Sequence, residues 1–314
     1  MRVHSARRQY IRWLRVARDL SPHTIRAYDS DIGTFERHMG MRARVGRIDQ
    51  ECVIAFVERS RAAGLSPVSV KRRVSAIRGF CKWLSAQQLL EHDPLNEIGS
   101  LSPGKRRRVL PRTVPAHELG ALFLSLRAAA GLSRPTSPSA VLARPHECTT
   151  LLATSLMVVT GARVSEIVSL RCRDVDLTNR SLRIMGKGRR ERQVFLPNQW
   201  VADLTQAYVH ARSTFDPSHD RLLFNSQYEP LTASAMRTRL ATAANIAGLS
   251  GKVTPHMLRH TAATRLIEAG VDIRYIQRLL GHASLTTTEI YTHVSDEALR
   301  RVVTDADILE NLLR

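Results

Sequence analysis

The stretch TPHMLRHTAATRLIEAG, residues 254–270, starts and stops as a helix does. Thr254 and Pro255 supply N-cap and first-turn chemistry, and Gly270 marks the end. Within it His256, Arg259 and His260 stand at i, i+3 and i+4, on one side of the helix. The two histidines have the spacing of a zinc pair. The glutamate of an H-E-x-x-H site is absent, however, and Arg259 would set a fixed positive charge against the metal. A cation beside two histidines suits an anion instead. Taken singly, each histidine reads first as a satisfied core or surface residue.

Working outward, a second helix runs from Asp272 to Gly281 and a third around Thr286 to His293. His282 directly follows the glycine stop, and Tyr291 lies nine residues further on. A last amphipathic segment, Ser295 to Arg314, offers Leu299, Val302, Val303, Ile308, Leu309, Leu312 and Leu313 as apolar surface. Upstream, Ser181 to Met185 alternates around Leu182 and Ile184, turns at Gly186-Lys187-Gly188 and returns through Gln193 to Leu196, a β-hairpin with a lysine at its tip. Further upstream, Thr160 to Glu166 places Arg163 beside a glycine with a carboxylate one turn later, where Glu166 can orient it. Each position has a plain explanation: a solvated turn lysine, a C-capping histidine, a core tyrosine. Together they form a parts list for phosphoryl transfer without metal. Arginine forks hold the non-bridging oxygens, a lysine and histidines move protons, and a hydroxyl is the nucleophile.

The rest of the chain bounds the partner. At 314 residues, two domains are expected. The first hundred residues read as helices. Tyr10, Trp13, Leu14 and Ala17 share one face of a basic segment. Ser21-Pro22 and Ser66-Pro67 each open a helix, the first with Ile25, Tyr28, Ile32 and Phe35 at helical spacing, the second with Val70, Val74, Ile77 and Leu84. Lys71, Arg72, Arg73 and Arg78 occupy polar positions of that second helix. Residues 99–115 gather glycine, proline and the cluster Lys105, Arg106, Arg107, Arg108, and read as a linker between a domain at 1–98 and one at 116–314. A basic linker either tracks a phosphate backbone or is simply solvated. Ala116 to Ala130 reads as a helix, and the Pro/Ser-rich stretch Gly131 to Pro145 as a surface loop. The net charge of +19 implies a polyanion, nucleic acid ahead of an anionic membrane, because no amphipathic anchor is evident. Only five of the 47 basic residues are lysine, the remainder being arginines whose forks suit phosphate. A biased genome gives the same excess. No apolar run approaches the roughly 18 residues of a membrane span, and the arginine-studded N-terminus lacks a secretory signal, so a cytoplasmic protein is expected. Four scattered cysteines, Cys52, Cys81, Cys148 and Cys172, suggest neither a disulfide framework nor a zinc site.

Four segments in this order and spacing, TGARVSEIVSL (160–170), the Gly186-Lys187-Gly188 turn, HMLRHTAATRL (256–266) and LLGHASLTTTEIYTH (279–293), resemble the tyrosine recombinase (phage integrase) family. Size and layout resemble its short Xer-type members, over nearly the whole chain. The resemblance implies a mainly α fold with a small β-sheet or hairpin in the catalytic domain. It implies a two-domain, C-shaped clamp on duplex DNA whose first domain is a helical, SAM-like core-binding module. The activity implied is site-specific recombination through a 3′-phosphotyrosyl intermediate and a Holliday junction, with no metal, nucleotide or other cofactor. A homo- or hetero-tetramer on two duplexes, linked through the C-terminal segment, is implied with it. By resemblance Arg163 and Arg259 clamp the scissile phosphate and Lys187 protonates the leaving 5′ oxygen. His256 assists proton transfer, His282 hydrogen-bonds the phosphate and Tyr291 attacks it. Glu166 supports the first arginine, with His260 behind the site. Two rivals stay open: a type IB topoisomerase, with the same chemistry on one duplex, and a catalytically idle DNA-binding accessory protein. The complete residue set disfavours the second and the Xer-like first domain the other. The stretch 131–145 is longer than a simple Xer-type connection, which leaves chromosome-dimer resolution and service to a mobile element both open. The DNA target is not legible, because base recognition depends on groove contacts.

Overall fold

The computed structural model describes residues 1–18, 20, 22–96, 112–132, 137–186, 191–214, 219–281, 296–307 and 309. They fall into two compact units, Met1–Val109 and Leu110–Arg314.

The first unit is built from α1 (Val3–Ala17), α2 (Pro22–Met39), α3 (Gln50–Ala62) and α4 (Pro67–Ala86). Ser66 caps α4 by accepting from the Ser69 amide at 3.3 Å, with Pro67 at its first position. Val70, Val74, Ile77 and Leu84 are buried as the spacing requires. Ile25, Ile32 and Phe35 are buried with them, and the Tyr10 ring packs on Phe80 and Trp83 at centroid distances of 5.4 and 5.5 Å. Ser21 lies outside the described residues. Ala17 corrects one expectation. Residues 15–18 are all exposed, so the last turn of α1 overhangs the core and its apolar stripe ends at Leu14, with Trp13 half-buried. Three carboxylates are buried here: Asp93 accepts the Leu95 amide at 3.0 Å, and the other two are ion-paired. Glu36 lies 3.0 Å from the His4 ring and 3.1 Å from Arg7, and Asp31 accepts from Arg72 with Arg73 at 3.8 Å.

The second unit begins with α5 (Ala116–Ala130), which ends on Gly131 at φ 68°. The expected loop from Gly131 to Pro145 is corrected in part. It contains a short helix, α6 (Pro138–Ala143), capped by Ser137 and burying Val141, and Pro145 opens the next helix. Ser137-Pro138 is the same start chemistry as Ser66-Pro67, obscured by its short run and high proline content. Next come α7 (Pro145–Thr160), α8 (Val164–Ser169) and an antiparallel sheet of β1 (Val175–Asp176), β2 (Ser181–Met185) and β3 (Glu191–Phe195), in the order β1-β2-β3. The expected hairpin is β2–β3, with Ile184 opposite Arg192 and Leu182 opposite Val194. Its return strand starts two residues earlier than expected, its tip at 187–190 lies outside the described residues, and β1 is an addition.

After the sheet come α9 (Gln199–Ser213), α10 (Ala233–Ile246), α11 (Pro255–Glu268), α12 (Ile273–Leu280) and α13 (Asp296–Asp305). The central element is α7, buried from Cys148 through Thr160 and packed by α5, α9, α10 and α11. Its hydroxyls cost little there because they donate back up the helix, Thr154 to the Thr150 carbonyl at 2.8 Å and Thr160 to that of Leu156 at 2.6 Å. No helix among the described residues is long and apolar enough to cross a membrane.

Within the single chain, the C-terminal segment for which the resemblance implied a subunit-linking role packs on its own unit. Leu299, Val303, Ala306 and Leu309 are buried in the unit's own core, and α13 lies against β3. Asp307 accepts from Asn198, the residue that caps α9, and Arg278 pairs with Asp296 at 2.6 Å. An amphipathic helix needs an apolar surface, and its own domain supplies one. Residues 308 and 310–314 lie outside the described residues.

Candidate active site

The turn that ends α7 places the first functional group. Gly161 caps the helix at φ 61°, and an added Cβ would lie 2.5 Å from a Leu280 methyl, so only glycine lets α12 approach this closely. Two residues later Arg163 is the N-cap of α8. Glu166, three residues on and 5% exposed, accepts the Arg163 backbone N–H at 2.8 Å and its guanidinium at 2.9 Å. The first is half of a capping box; the second is the orientation expected from sequence. Arg163 itself is 42% exposed, and among the described residues its guanidinium bonds Glu166 alone, which leaves donors for a ligand.

The second arginine comes from α11, held by its Thr254 cap and Pro255. Arg259 is only 6% exposed. It donates to the Gly161 carbonyl and to the Leu280 carbonyl, each at 2.8 Å, and so ties α11 to both the end of α7 and the end of α12. Burial, and then the nearby charge of Arg163, make it a weaker base than an ordinary guanidinium, pushed down to about 10. It remains charged at neutral pH.

One participant is absent from the sequence reading. Arg192, on β3 and 11% exposed, donates to both oxygens of Glu166 at 3.2 and 2.7 Å and through Nε to the Leu279 carbonyl at 2.8 Å. A signal was available, because Arg192 shares strand parity with Val194, and a charge on the core face of a strand needs a partner. Glu166 thus serves two guanidiniums. Burial pushes its carboxyl up, but hydrogen bonds from Arg192 and from the Arg163 backbone outweigh this and hold it below the usual carboxylate value. Three guanidiniums against one carboxylate leave this cluster strongly positive, a setting for a phosphodiester and for the charge that builds on it during transfer.

Of the other expected site residues, His256 is exposed in the first turn of α11 and His260 is half-buried. Lys187, His282 and Tyr291 lie outside the described residues, as do Lys105, Arg106, Arg107 and Arg108. In the first unit Lys71 is exposed and Arg78 half-buried. Arg72 and Arg73 are engaged with Asp31, and Arg73 also reaches the Ser60 hydroxyl at 3.1 Å.

Comparison with known proteins identifies the family. Residues 137–298 match the phage integrase family, and residues 8–88 match the phage integrase N-terminal SAM-like domain. Tyrosine recombinase XerD of Mycobacterium leprae is 34% identical over 308 residues, covering 93% of each chain. Tyrosine recombinase XerC of Yersinia pestis is 33% identical over 296 residues, covering 93% of this chain and 91% of its own. Among solved structures, a lambda integrase dimer bound to a COC′ core site superposes with a TM-score of 0.67 at 22% identity, over 91% of this chain and 97% of its own. The XerH site-specific recombinase on a palindromic difH substrate gives 0.64 at 25% identity, over 94% of this chain and 82% of its own. The topoisomerase and idle-accessory readings give way. With both domains matched in chain order and an arginine pair gathered around Glu166, the chain belongs to the phage integrase family and is an Xer-like tyrosine recombinase, an enzyme of site-specific recombination.

Proposed function

We propose that this recombinase cleaves duplex DNA with Tyr291 as nucleophile, in the cytoplasm and without metal or nucleotide. The Tyr291 oxygen attacks the scissile phosphorus, the bond to the 5′ oxygen breaks, and a 3′-phosphotyrosyl linkage and a free 5′ hydroxyl result. Lys187 gives the leaving oxygen its proton, and His256 assists as the tyrosine loses its own. Arg163 and Arg259 neutralise the non-bridging oxygens, Arg259 with the N–H groups that its two carbonyl partners leave over, while His282 hydrogen-bonds the phosphate. Rejoining is the reverse attack by a 5′ hydroxyl from the partner duplex, which passes through a Holliday junction and conserves the bond energy in the phosphotyrosine. The partners are a double-stranded recombination site and further protomers, homo- or heterotypic, in a tetramer on two duplexes.

The observation that carries this reading is the convergence of Arg163, oriented by Glu166, and Arg259, held by the Gly161 and Leu280 carbonyls, from segments far apart in sequence. The test uses a nicked duplex that, on cleavage, loses the short 5′-hydroxyl fragment lying 3′ of the break and so traps the covalent complex. With the strand labelled 5′ of the break, the adduct and its rejoining by an added 5′-hydroxyl strand are followed with and without excess chelator. Equal rates are expected. Loss of rejoining in chelator, restored by a divalent ion, contradicts the metal-free mechanism.

A further inference from the structure

We propose that Arg192 is a positioning residue of strand cleavage, which fixes Arg163 on the phosphate by locking Glu166 in place; the inference rests on the clamp role of Arg163 given above. A glutamate three residues after an N-cap is a complete helix start without a second cation. Here the same carboxylate takes four donors. Its Oε1 accepts Arg163 at 2.9 Å and Arg192 at 3.2 Å, and its Oε2 accepts the Arg163 amide at 2.8 Å and Arg192 at 2.7 Å. The two-point grip of Arg192 fixes the carboxylate plane, and with it the direction in which Oε1 meets Arg163.

Arg163 needs that help. Its side chain is 42% exposed and, among the described residues, held by one guanidinium bond, so its fork points only as well as Glu166 points. Arg192, by contrast, is 11% exposed and anchored at its other edge by the Leu279 carbonyl. Gly281 packs on it closely enough that an added Cβ would lie 3.0 Å from the guanidinium. The two last carbonyls of α12, of Leu279 and Leu280, are thereby taken by Arg192 and Arg259 respectively. One helix end, rich in unsatisfied acceptors, sets the spacing between the phosphate-facing Arg259 and the arginine that steers Arg163. Burying a third guanidinium in a site meant for an anion is costly unless it is paired, and the geometry of that pairing gives it a use.

The test compares Arg192→Gln and Arg192→Lys with the parent chain in single-turnover cleavage of the nicked substrate at saturating protein. Half-site affinity and urea midpoint are measured alongside, and both substitutions are repeated in an Arg163→Ala background. Arg192→Gln is expected to slow cleavage on the order of 10- to 100-fold, the cost of a misaligned reacting group, with affinity unchanged and Arg192→Lys recovering part of the rate. In the Arg163→Ala background the same change is expected to cost no more than about threefold, because the group it steers is gone. Equal losses in both backgrounds, a parent-like rate, or unfolding of both variants would each overturn the proposal. Arg163→Ala that cleaves at the parent rate would instead remove the clamp reading on which it rests.

Discussion

At the residue scale, the site depends on a few atoms whose approach leaves no slack. Gly161 stands where α7 meets α12, in a left-handed conformation with a Leu280 methyl in the space a side chain would occupy. Gly161→Ala is expected to lower the unfolding free energy by about 1–3 kcal/mol, from backbone strain and displacement of Leu280. It should slow cleavage as well, since the carbonyls of Gly161 and Leu280 hold Arg259. Urea denaturation and single-turnover cleavage measure the two, and an unchanged protein by both contradicts the packing described. Arg163, Glu166 and Arg259 were legible because their partners are local or their motifs compact: a carboxylate three residues after an arginine, an arginine on a capped helix. Arg192 was not, because its meaning lies in Leu279, which is 87 residues away. Strand parity gave the hint that it faces inward and no hint of what it meets there.

At the element scale, chain-end chemistry carried the reading well. Ser66-Pro67, Thr254-Pro255 and the pair Asp272 and Gly281 bound their helices where the sequence expected. The central α7 offered no comparable pattern, because a helix buried on every side has no polar face and so no amphipathic period. The amphipathic C-terminal helix was recognised, but an apolar stripe does not say which molecule covers it. Its fully buried Leu299 supplies the test. Leu299→Ala should lower the stability of the isolated protein by about 2–5 kcal/mol, as for other large-to-small core changes. A loss appearing only in tetramers on DNA, with the monomer's denaturation curve unmoved, would return the helix to a neighbouring subunit. Truncation from Asp305 onward should likewise destabilise the second unit, since Ala306 and Leu309 are core residues.

At the scale of the whole molecule, a charge of +19 makes DNA binding a matter of counterion release. Each phosphate neutralised contributes a slope of about −0.9 in log binding constant against log salt, so six contacts imply roughly a thousandfold loss between about 50 and about 200 mM. Lys71, exposed on α4, should affect only this slope: Lys71→Ala is expected to reduce it by about 1 and leave folding alone. Arg72→Ala should lower stability too, because Arg72 pairs with buried Asp31. A salt titration and a urea curve on both variants separate these outcomes, and identical behaviour contradicts the distinction. The central claim, that this fold gathers an arginine clamp so that a tyrosine can take the 3′ phosphate, is tested most directly by Tyr291→Phe on the nicked substrate. The parent protein is expected to give a covalent protein–DNA band that survives denaturing electrophoresis, with the phosphate mapped to Tyr291. Tyr291→Phe is expected to bind the same duplex with nearly the same affinity and give no such band; a persistent adduct in that variant would contradict the assignment.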